Sequence, residues 1–290
     1  MTEPNLQAAG LDPEQLLLRA EEVISPNLNG GSPPGHDHLQ GDLRVGVDLG
    51  TAYTVLTVLD EKGRPLIGEY KFAQVVRDGL VVDFIGAVDL LRGMKARVEK
   101  HLGMELTHAA SGFPPGVPRA EVRATANVVE AAGMQCRGLI DEPSAANNVL
   151  GLEDGAIVDI GGGTTGIAII EDGEVVYTAD EATGGTHISL VIAGASGVSF
   201  EAAEAIKIDP SEQSRLFPIV RPVMEKMATI VERHVRSTSV KSIVLVGGTT
   251  LFPGMASVVQ EVTGLPTRVP AHPLFVTPVG IAMHDTRDSN

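Results

Sequence analysis

The sequence is poor in cysteine and in basic residues, and it lacks any long apolar run. A single cysteine, Cys136, rules out an internal disulfide framework and fits a reducing compartment. It sits in the strand-like QCRGLI and reads as a small core residue rather than a nucleophile. No stretch of about 18 or more apolar residues occurs, and the N-terminus MTEPNLQAAG has neither the basic head nor the apolar middle of a secretory signal, so a cytoplasmic, non-membrane protein is expected. With 22 basic against 37 acidic residues, the net charge of −15 argues against nucleic acid and anionic membrane as partners. Any phosphate site must therefore be built locally, from backbone N–H groups, a metal ion or a few placed side chains. The eight histidines show no metal spacing, HDH at 36–38 lying in a loop-like tract, and no zinc site is expected. No Gly-Lys dipeptide exists, which excludes a Walker A loop.

What is present begins with a segment unlike the rest. In LDPEQLLLRAEEVIS, Asp12 is a candidate N-cap, Pro13 fits the first helical position and Gln15 completes an Asp-x-x-Gln box, while Leu16, Leu17, Ala20, Val23 and Ile24 share one face. The following SPNLNGGSPPGHDHLQG reads as a flexible tether. Residues 1–41 carry six acids and one base. The helix is read either as a docking peptide on a leash or as packed on its own body.

From Leu43 the pattern is strand LRVGVDLG, strand TAYTVLTVLD, strand PLIGEYKF, helix GAVDLLRGMKARVEKHLG, strand THAASGF, helix PRAEVRATANVVEAAG, strand MQCRGLID and helix EPSAANNVLG. Near Gly155 the programme restarts with strands AIVDIGGG, TTGIAIIEDG and EVVYTAD, then several helices, strand KSIVLVGG and helix PGMASVVQEVTG. Asp48-Leu-Gly-Thr51, followed by a strand and the turn DEKG, echoes Asp159-Ile-Gly-Gly-Gly-Thr164, followed by a strand and the turn EDG. The echo suggests two similar lobes with a ligand cleft between them. The boundaries expected are 1–41 for the helix and tether, 42–154 and 155–270 for the lobes, and 271–290 for a return helix and tail.

VDIGGGTTGIAII formally matches G-x-G-x-x-G at Gly161, Gly163 and Gly166. A dinucleotide turn needs a helix to begin there, so that its N-terminus faces the pyrophosphate. Here IAIIEDGEVVY follows, an alternating strand and a turn, so the NAD reading fails. A strand–turn–strand with Asp at its entrance and Gly and Thr in its turn offers something else. Glycines let backbone N–H groups approach a phosphate, threonine hydroxyls add donors without charge repulsion, and the carboxylate can hold Mg²⁺ through its waters.

These residues resemble the actin-like, DnaK-type chaperone and sugar-kinase ATPase superfamily. VGVDLGTAYTVLTV and VDIGGGTTGIAII look like its two phosphate motifs, IDEPSAAN and TPVGIAMHD like its connecting motifs, and LVGGTTLFPGM like its adenosine motif. SFEAAEAIKID supplies a matching Glu-x-x-Lys pair. The resemblance implies a two-lobed α/β actin-like fold of duplicated ribonuclease-H-like lobes, with ATP or ADP and Mg²⁺ in the cleft. It implies Asp48 and Asp159 as Mg²⁺-water ligands and, with Glu142 orienting the attacking water, as the catalytic set. Gly50, Thr51 and Ala52 would face phosphate from the first lobe, and Gly161, Gly162, Gly163, Thr164 and Thr165 from the second. Gly184 and Gly185 mark a helix start near the phosphates, with His187 in its first turn read as structural. Glu204, Lys207, Gly247, Gly248 and Thr249 would lie along the nucleoside.

VVRDGLVVDFIGAV, THAASGFPPG, ADEATGGTHISL and PLFVTP are similar to the ethanolamine-utilisation branch, which implies a chaperone-like accessory of ethanolamine ammonia-lyase or of its bacterial microcompartment. No peptide-binding domain follows residue 285, so client binding would use the lobes or the N-terminal helix. A counterpart of the chaperone branch's first-lobe lysine is not placed, Lys71 being the nearest candidate. An actin-like filament or scaffold is the alternative reading, and a small-molecule kinase using Asp78 or Asp83 a second.

Overall fold

Asp12 accepts a hydrogen bond from the Glu14 backbone N–H at 3.0 Å, and Pro13 opens α1 (Pro13–Val23). The cap bond goes to Glu14 and not to Gln15, where a capping box would place it. The computed structural model describes residues 12–28, 42–77 and 80–286, so Asp78, the HDH tract and most of the tether lie outside the described residues. β1 (Ile24–Ser25), two residues long, follows α1 directly.

An antiparallel meander comes next: β2 (Arg44–Leu49), β3 (Tyr53–Leu59) and β4 (Pro65–Phe72). A small hairpin, β5 (Val76–Arg77) and β6 (Leu80–Val81), leads to α2 (Phe84–Leu102). Asp83 caps α2 by accepting from the Gly86 N–H at 2.8 Å, and Gly103 ends it in the left-handed region at φ 69°. Its buried stripe of Ala87, Leu91, Met94 and Val98 falls at helical spacing against the apolar face of the sheet. Then come β7 (His108–Phe113), α3 (Arg119–Ala131), β8 (Gln135–Asp141) and α4 (Glu142–Leu150).

The second run comprises β9 (Gly155–Ile160), β10 (Thr165–Glu171), β11 (Glu174–Glu181), α5 (Gly185–Ser196), α6 (Phe200–Ile208), α7 (Pro210–Val235), β12 (Ile243–Val246), α8 (Met255–Thr263) and β13 (Thr267–Arg268). A 3₁₀ turn, Pro273–Phe275, leads into the last helix, α9 (Val276–Met283). The chain divides into two units, one running to Gly151 and resuming at Phe275, the other Leu152–Leu274.

Each unit holds one large sheet, and the two large sheets share one topology. The first runs β1-β4-β3-β2-β7-β8 and the second β11-β10-β9-β12-β13. Apart from β1, the order within each run is third, second, first, fourth, fifth. In both, the first three strands are antiparallel and the last two lie parallel to the first. The echo in the sequence is a repeated fold.

Within the two large sheets, β1 is the strand outside this scheme. It pairs in parallel with β4, Ile24 opposite Gly68, where a Cβ on Gly68 would stand 2.9 Å from Ile24 Cγ1. Leu16, Leu17 and Ala20 are buried, and the Lys71 ammonium donates to the Pro26 carbonyl at 2.6 Å. The apolar face of α1 is thus spent on its own unit, which decides against a docking peptide that presents this face.

Helix α9 is buried throughout and lies across the first sheet. Glycines make the room: a Cβ on Gly46 would meet the Ala282 backbone nitrogen at 2.5 Å, one on Gly112 would meet Ile281 Cδ1 at 2.4 Å, and one on Gly280 would meet the Ala145 carbonyl of α4 at 1.8 Å. The second unit has its own core, in which α7 lays Leu216, Val220, Met224 and Val231 against Val158, Ile160 and Leu245.

Candidate functional site

The topology sets Asp48 and Asp159 at matching positions. Each is the penultimate residue of the first strand of its repeat, Asp48 opposite Val55 and Asp159 opposite Gly166. Each is followed by a four-residue loop. Gly50 N–H donates to the Tyr53 carbonyl at 3.1 Å, and Gly161 N–H donates to the Thr164 carbonyl at 3.0 Å. Gly50-Thr51-Ala52-Tyr53 and Gly161-Gly162-Gly163-Thr164 are therefore closed by one and the same hydrogen bond. Within each loop the N–H groups of Thr51 and Ala52, or of Gly162 and Gly163, donate to no group among the described residues. Unspent backbone donors at the mouth of a turn fit an anion.

In the first unit, Glu142 stands at the first position of α4, after Asp141, which caps the helix by accepting from the Ser144 N–H at 3.0 Å. β7 lies between β2 and β8, and Gly112 on β7 is the spacer beneath Glu142, whose Cγ lies 3.8 Å from where a glycine Cβ would be. Asp48 and Glu142 thus share the carboxyl edge of one sheet, about 10 Å apart by two strand spacings. Ligands of open α/β sheets gather at such an edge.

Lys71 reaches that edge as well, in register with Thr54 and through it with Leu49. It pairs with Glu69 at 3.2 Å as well as with Pro26, and Arg97 holds the same buried Glu69 at 2.9 Å. These contacts tie its ammonium to the chain just after β1 and to its own strand. Asp83 is occupied as the cap of α2.

The second unit brings most of its expected residues together. β12 runs parallel to β9 with Val246 opposite Asp159, so Gly247 arrives beside the carboxylate. Its φ is 88°, and a Cβ there would stand 2.3 Å from Asp159 Oδ1 and 2.6 Å from the Ile160 carbonyl. The start of α5 is tied to the loop: Gly185 N–H donates to the Gly161 carbonyl at 2.9 Å and Thr186 N–H to that of Gly162 at 2.8 Å. A Cβ on Gly184 would meet both carbonyls at 2.7 Å. His187 accepts from the Gly184 N–H at 3.3 Å and so caps its own helix. Thr249 Oγ1 donates to the Gly161 carbonyl at 2.7 Å, which holds the loop to the 3₁₀ turn Gly248–Leu251.

Thr165 requires a correction. Its hydroxyl donates to the Thr183 carbonyl at 2.6 Å and the residue is fully buried, so it braces the strand and offers no donor to a phosphate. The first residue of an inner strand points into the core, which the Thr-Thr sequence by itself does not reveal.

Glu204 and Lys207, one turn apart on α6, form an ion pair at 2.7 Å. Burial pushes the Lys207 ammonium below its usual range, and the Glu204 carboxylate draws it partly back. The fully buried Ser189 joins them, donating to Glu204 and accepting from Lys207 at 3.0 Å. Sequence reasoning passed over Ser189. The signal was its i+4 spacing from Gly185, which sets it on the same face of α5. A Cβ on Gly185 would meet Thr249 Oγ1 at 2.3 Å and Lys207 Nζ at 3.4 Å, so the pair, the helix start and the Gly-Gly turn are contiguous.

Cys136 lies elsewhere, on β8. Burial, with Glu130 adding to it, pushes its thiol up to about 11, which keeps it protonated and unreactive.

Among the described residues no three His, Cys, Asp or Glu side chains gather to ligate a metal directly. That suits Mg²⁺ only in the mode that needs one or two carboxylates and keeps its waters. No single helix among the described residues is long and apolar enough to cross a membrane.

Comparison with known proteins places the chain in a family. Residues 129–277 match the family model described as type IV pilus assembly protein PilM. Ethanolamine utilization protein EutJ of Salmonella typhimurium is 45% identical over 270 residues, covering 93% of this chain and 94% of that protein. A chaperone protein HscA homolog of Pseudomonas aeruginosa is 29% identical over 68% of this chain and 39% of its own length. The crystal structure of EutJ from Carboxydothermus hydrogenoformans superposes with a TM-score of 0.84 at 44% identity, covering 97% of this chain and 99% of that one. MreB 5 of Spiroplasma citri bound to AMPPNP superposes with a TM-score of 0.66 at 18% identity, covering 82% and 94%, and shares the fold. At this identity over nearly the whole of both chains, with half of its length also fitting the PilM model, the chain belongs to the EutJ family of ethanolamine utilization proteins.

Proposed function

We propose that this chain is an ATP-binding, chaperone-like accessory protein of ethanolamine utilisation, taking Mg²⁺ with ATP or ADP. One observation carries the reading. Two loops of four residues, each entered by an aspartate and closed by the same hydrogen bond, keep their inner N–H groups unspent. Each such loop suits a phosphate group of a nucleotide. The family name supports the pathway, the HscA relatives support the chaperone-like character, and the AMPPNP bound to MreB 5 supports a nucleotide.

In this reading Gly50, Thr51, Ala52 and Gly161 to Thr164 donate to phosphate oxygens, and Gly184 and Gly185 present the start of α5. Glu204, Lys207, Gly247, Gly248 and Thr249 flank the nucleoside. Asp48 and Asp159 hold the water shell of Mg²⁺, which when bound offsets the charge of the phosphates. Glu142 orients a water molecule at the carboxyl edge of the first sheet. Nucleotide state then sets the closure of the two lobes and, through it, the grip on ethanolamine ammonia-lyase or a microcompartment component.

Titration calorimetry of the full chain with ATP and Mg²⁺ tests this. Binding is expected, and Asp159→Ala should weaken it at least about tenfold, as loss of a charge-assisted contact does. Absence of binding to the unaltered chain would sink the reading. Sedimentation of the chain with ATP, giving filaments, would replace the chaperone-like role by an actin-like one.

A further inference from the structure

Aromatic residues are scarce, three tyrosines and seven phenylalanines with no tryptophan, yet four of the ten converge. Tyr53, the closing residue of the first loop, packs edge-on against Tyr70 at 5.7 Å and 67°, and against Phe72 at 5.7 Å and 74°. Tyr70 packs edge-on against Phe275 at 5.9 Å and 61°. All four belong to the first unit, and Phe275 is the residue at which the chain re-enters that unit. The second loop has threonine, Thr164, where the first has Tyr53, so the cluster is no part of the repeated fold.

The two residues before Phe275 face the other way. The Pro273 carbonyl accepts the Gly247 N–H at 3.0 Å, and Leu274 Cδ1 lies 3.1 Å from where a Cβ on Gly248 would be. Both contacts lie within the second unit. One three-residue turn therefore holds the Gly-Gly turn with Pro273 and Leu274, and the ring stack of the first loop with Phe275. Phe275 is 5% exposed, so its ring cannot leave the stack without opening the packing around it.

We infer that Pro273-Leu274-Phe275, with Tyr70 and Tyr53, is a relay that couples nucleoside binding at Gly247-Gly248 to the setting of the first phosphate loop. Tyr53 and Phe275 are positioning residues in it. The inference rests on the nucleotide reading proposed above and adds what passes between the two ends of the ligand. A rigid edge-on stack has few alternative arrangements, so movement of the turn displaces the loop through Tyr70. The coupling should be about two- to tenfold in affinity, the range of single aromatic pairs.

The absence of tryptophan makes the test direct. In the full chain carrying Tyr177→Phe, all tyrosine fluorescence comes from Tyr53 and Tyr70. Adenosine, which has no phosphates, should bind and change that fluorescence. Tripolyphosphate with Mg²⁺ should tighten adenosine binding about two- to tenfold, and adenosine should tighten tripolyphosphate by the same factor, as linkage requires. Phe275→Leu should leave adenosine binding in place and abolish both the fluorescence change and the mutual effect. Tyr53→Leu, at the more exposed end of the stack, should abolish the mutual effect in the same way, and Tyr53→Phe should restore it. Adenosine binding without a fluorescence change or mutual effect, or coupling that survives both leucine variants, overturns the relay alone. Failure of both adenosine and ATP to bind overturns the nucleotide reading and the relay with it.

Discussion

At the scale of single residues, the glycine run GGGTTG is not where glycine is needed most. None of Gly161, Gly162 and Gly163 takes a positive φ, and a Cβ on Gly161 would meet nothing nearer than the Thr164 carbonyl at 3.6 Å. The steric demand falls instead on Gly184, against two loop carbonyls, and on Gly247, against Asp159. Gly247→Ala is accordingly expected to cost about 2 kcal/mol or more, from left-handed strain together with collision against a carboxylate and a carbonyl. Gly161→Ala should stay within about 0.5 kcal/mol. Urea denaturation of the two variants checks both numbers, and equal midpoints would refute the assignment. The sequence could not separate these glycines, because the difference lies in what each faces across the fold. Thr165 and Ser189 are the same lesson with opposite signs: one hydroxyl is consumed by the core, while the other enters the ion pair at Glu204 and Lys207.

Among elements, long periodic segments were legible and short ones were not. α2 and α3, and the strands on either side of each hairpin loop, carry their own pattern of burial over six or more residues, whereas α7, interrupted by Pro218 and Pro222, reads in the sequence only as part of a run of helices. β1, the β5–β6 hairpin, β13 and the 3₁₀ turns are two to four residues long, too short for any period to show. They exist because a neighbour offers an edge: Ile24 finds the seat left by Gly68, and Thr267 finds Ile243. The N-terminal helix shows the limit most clearly, since its apolar stripe is the same whether it docks to a partner or to β4. The burial of Leu17 selects β4. Leu17→Ala should therefore destabilise the whole chain by about 2–5 kcal/mol, as for other fully buried leucines. An unchanged thermal midpoint would mean that α1 contributes nothing to the fold and would restore it as a docking element.

For the whole molecule, the duplication shows in the sequence as an echo, Asp48 and Gly50 against Asp159 and Gly161, and the shared strand order makes that echo a repeated fold. The consequence is a chain with two cores, crossed by the backbone at Gly151–Leu152 and Leu274–Phe275. A ligand stabilises what it touches by RT ln(1 + [L]/Kd), about 2.7 kcal/mol at a hundredfold excess over Kd. A ligand held by one unit slows hydrogen exchange in that unit's core alone, whereas one held by both slows exchange in both. With ATP and Mg²⁺ in excess, the core amides of β2 and β3 and those of β9 and β10 should all exchange more slowly. Asp159→Ala lies in the second unit, yet it should reduce the protection of β2 and β3 by as much as that of its own sheet, because the weakened nucleotide binding is felt by both. Undiminished protection of β2 and β3, with that of β9 and β10 reduced, would show that the first hairpin binds nucleotide by itself. The repeated loops would then be two separate anion sites rather than halves of one.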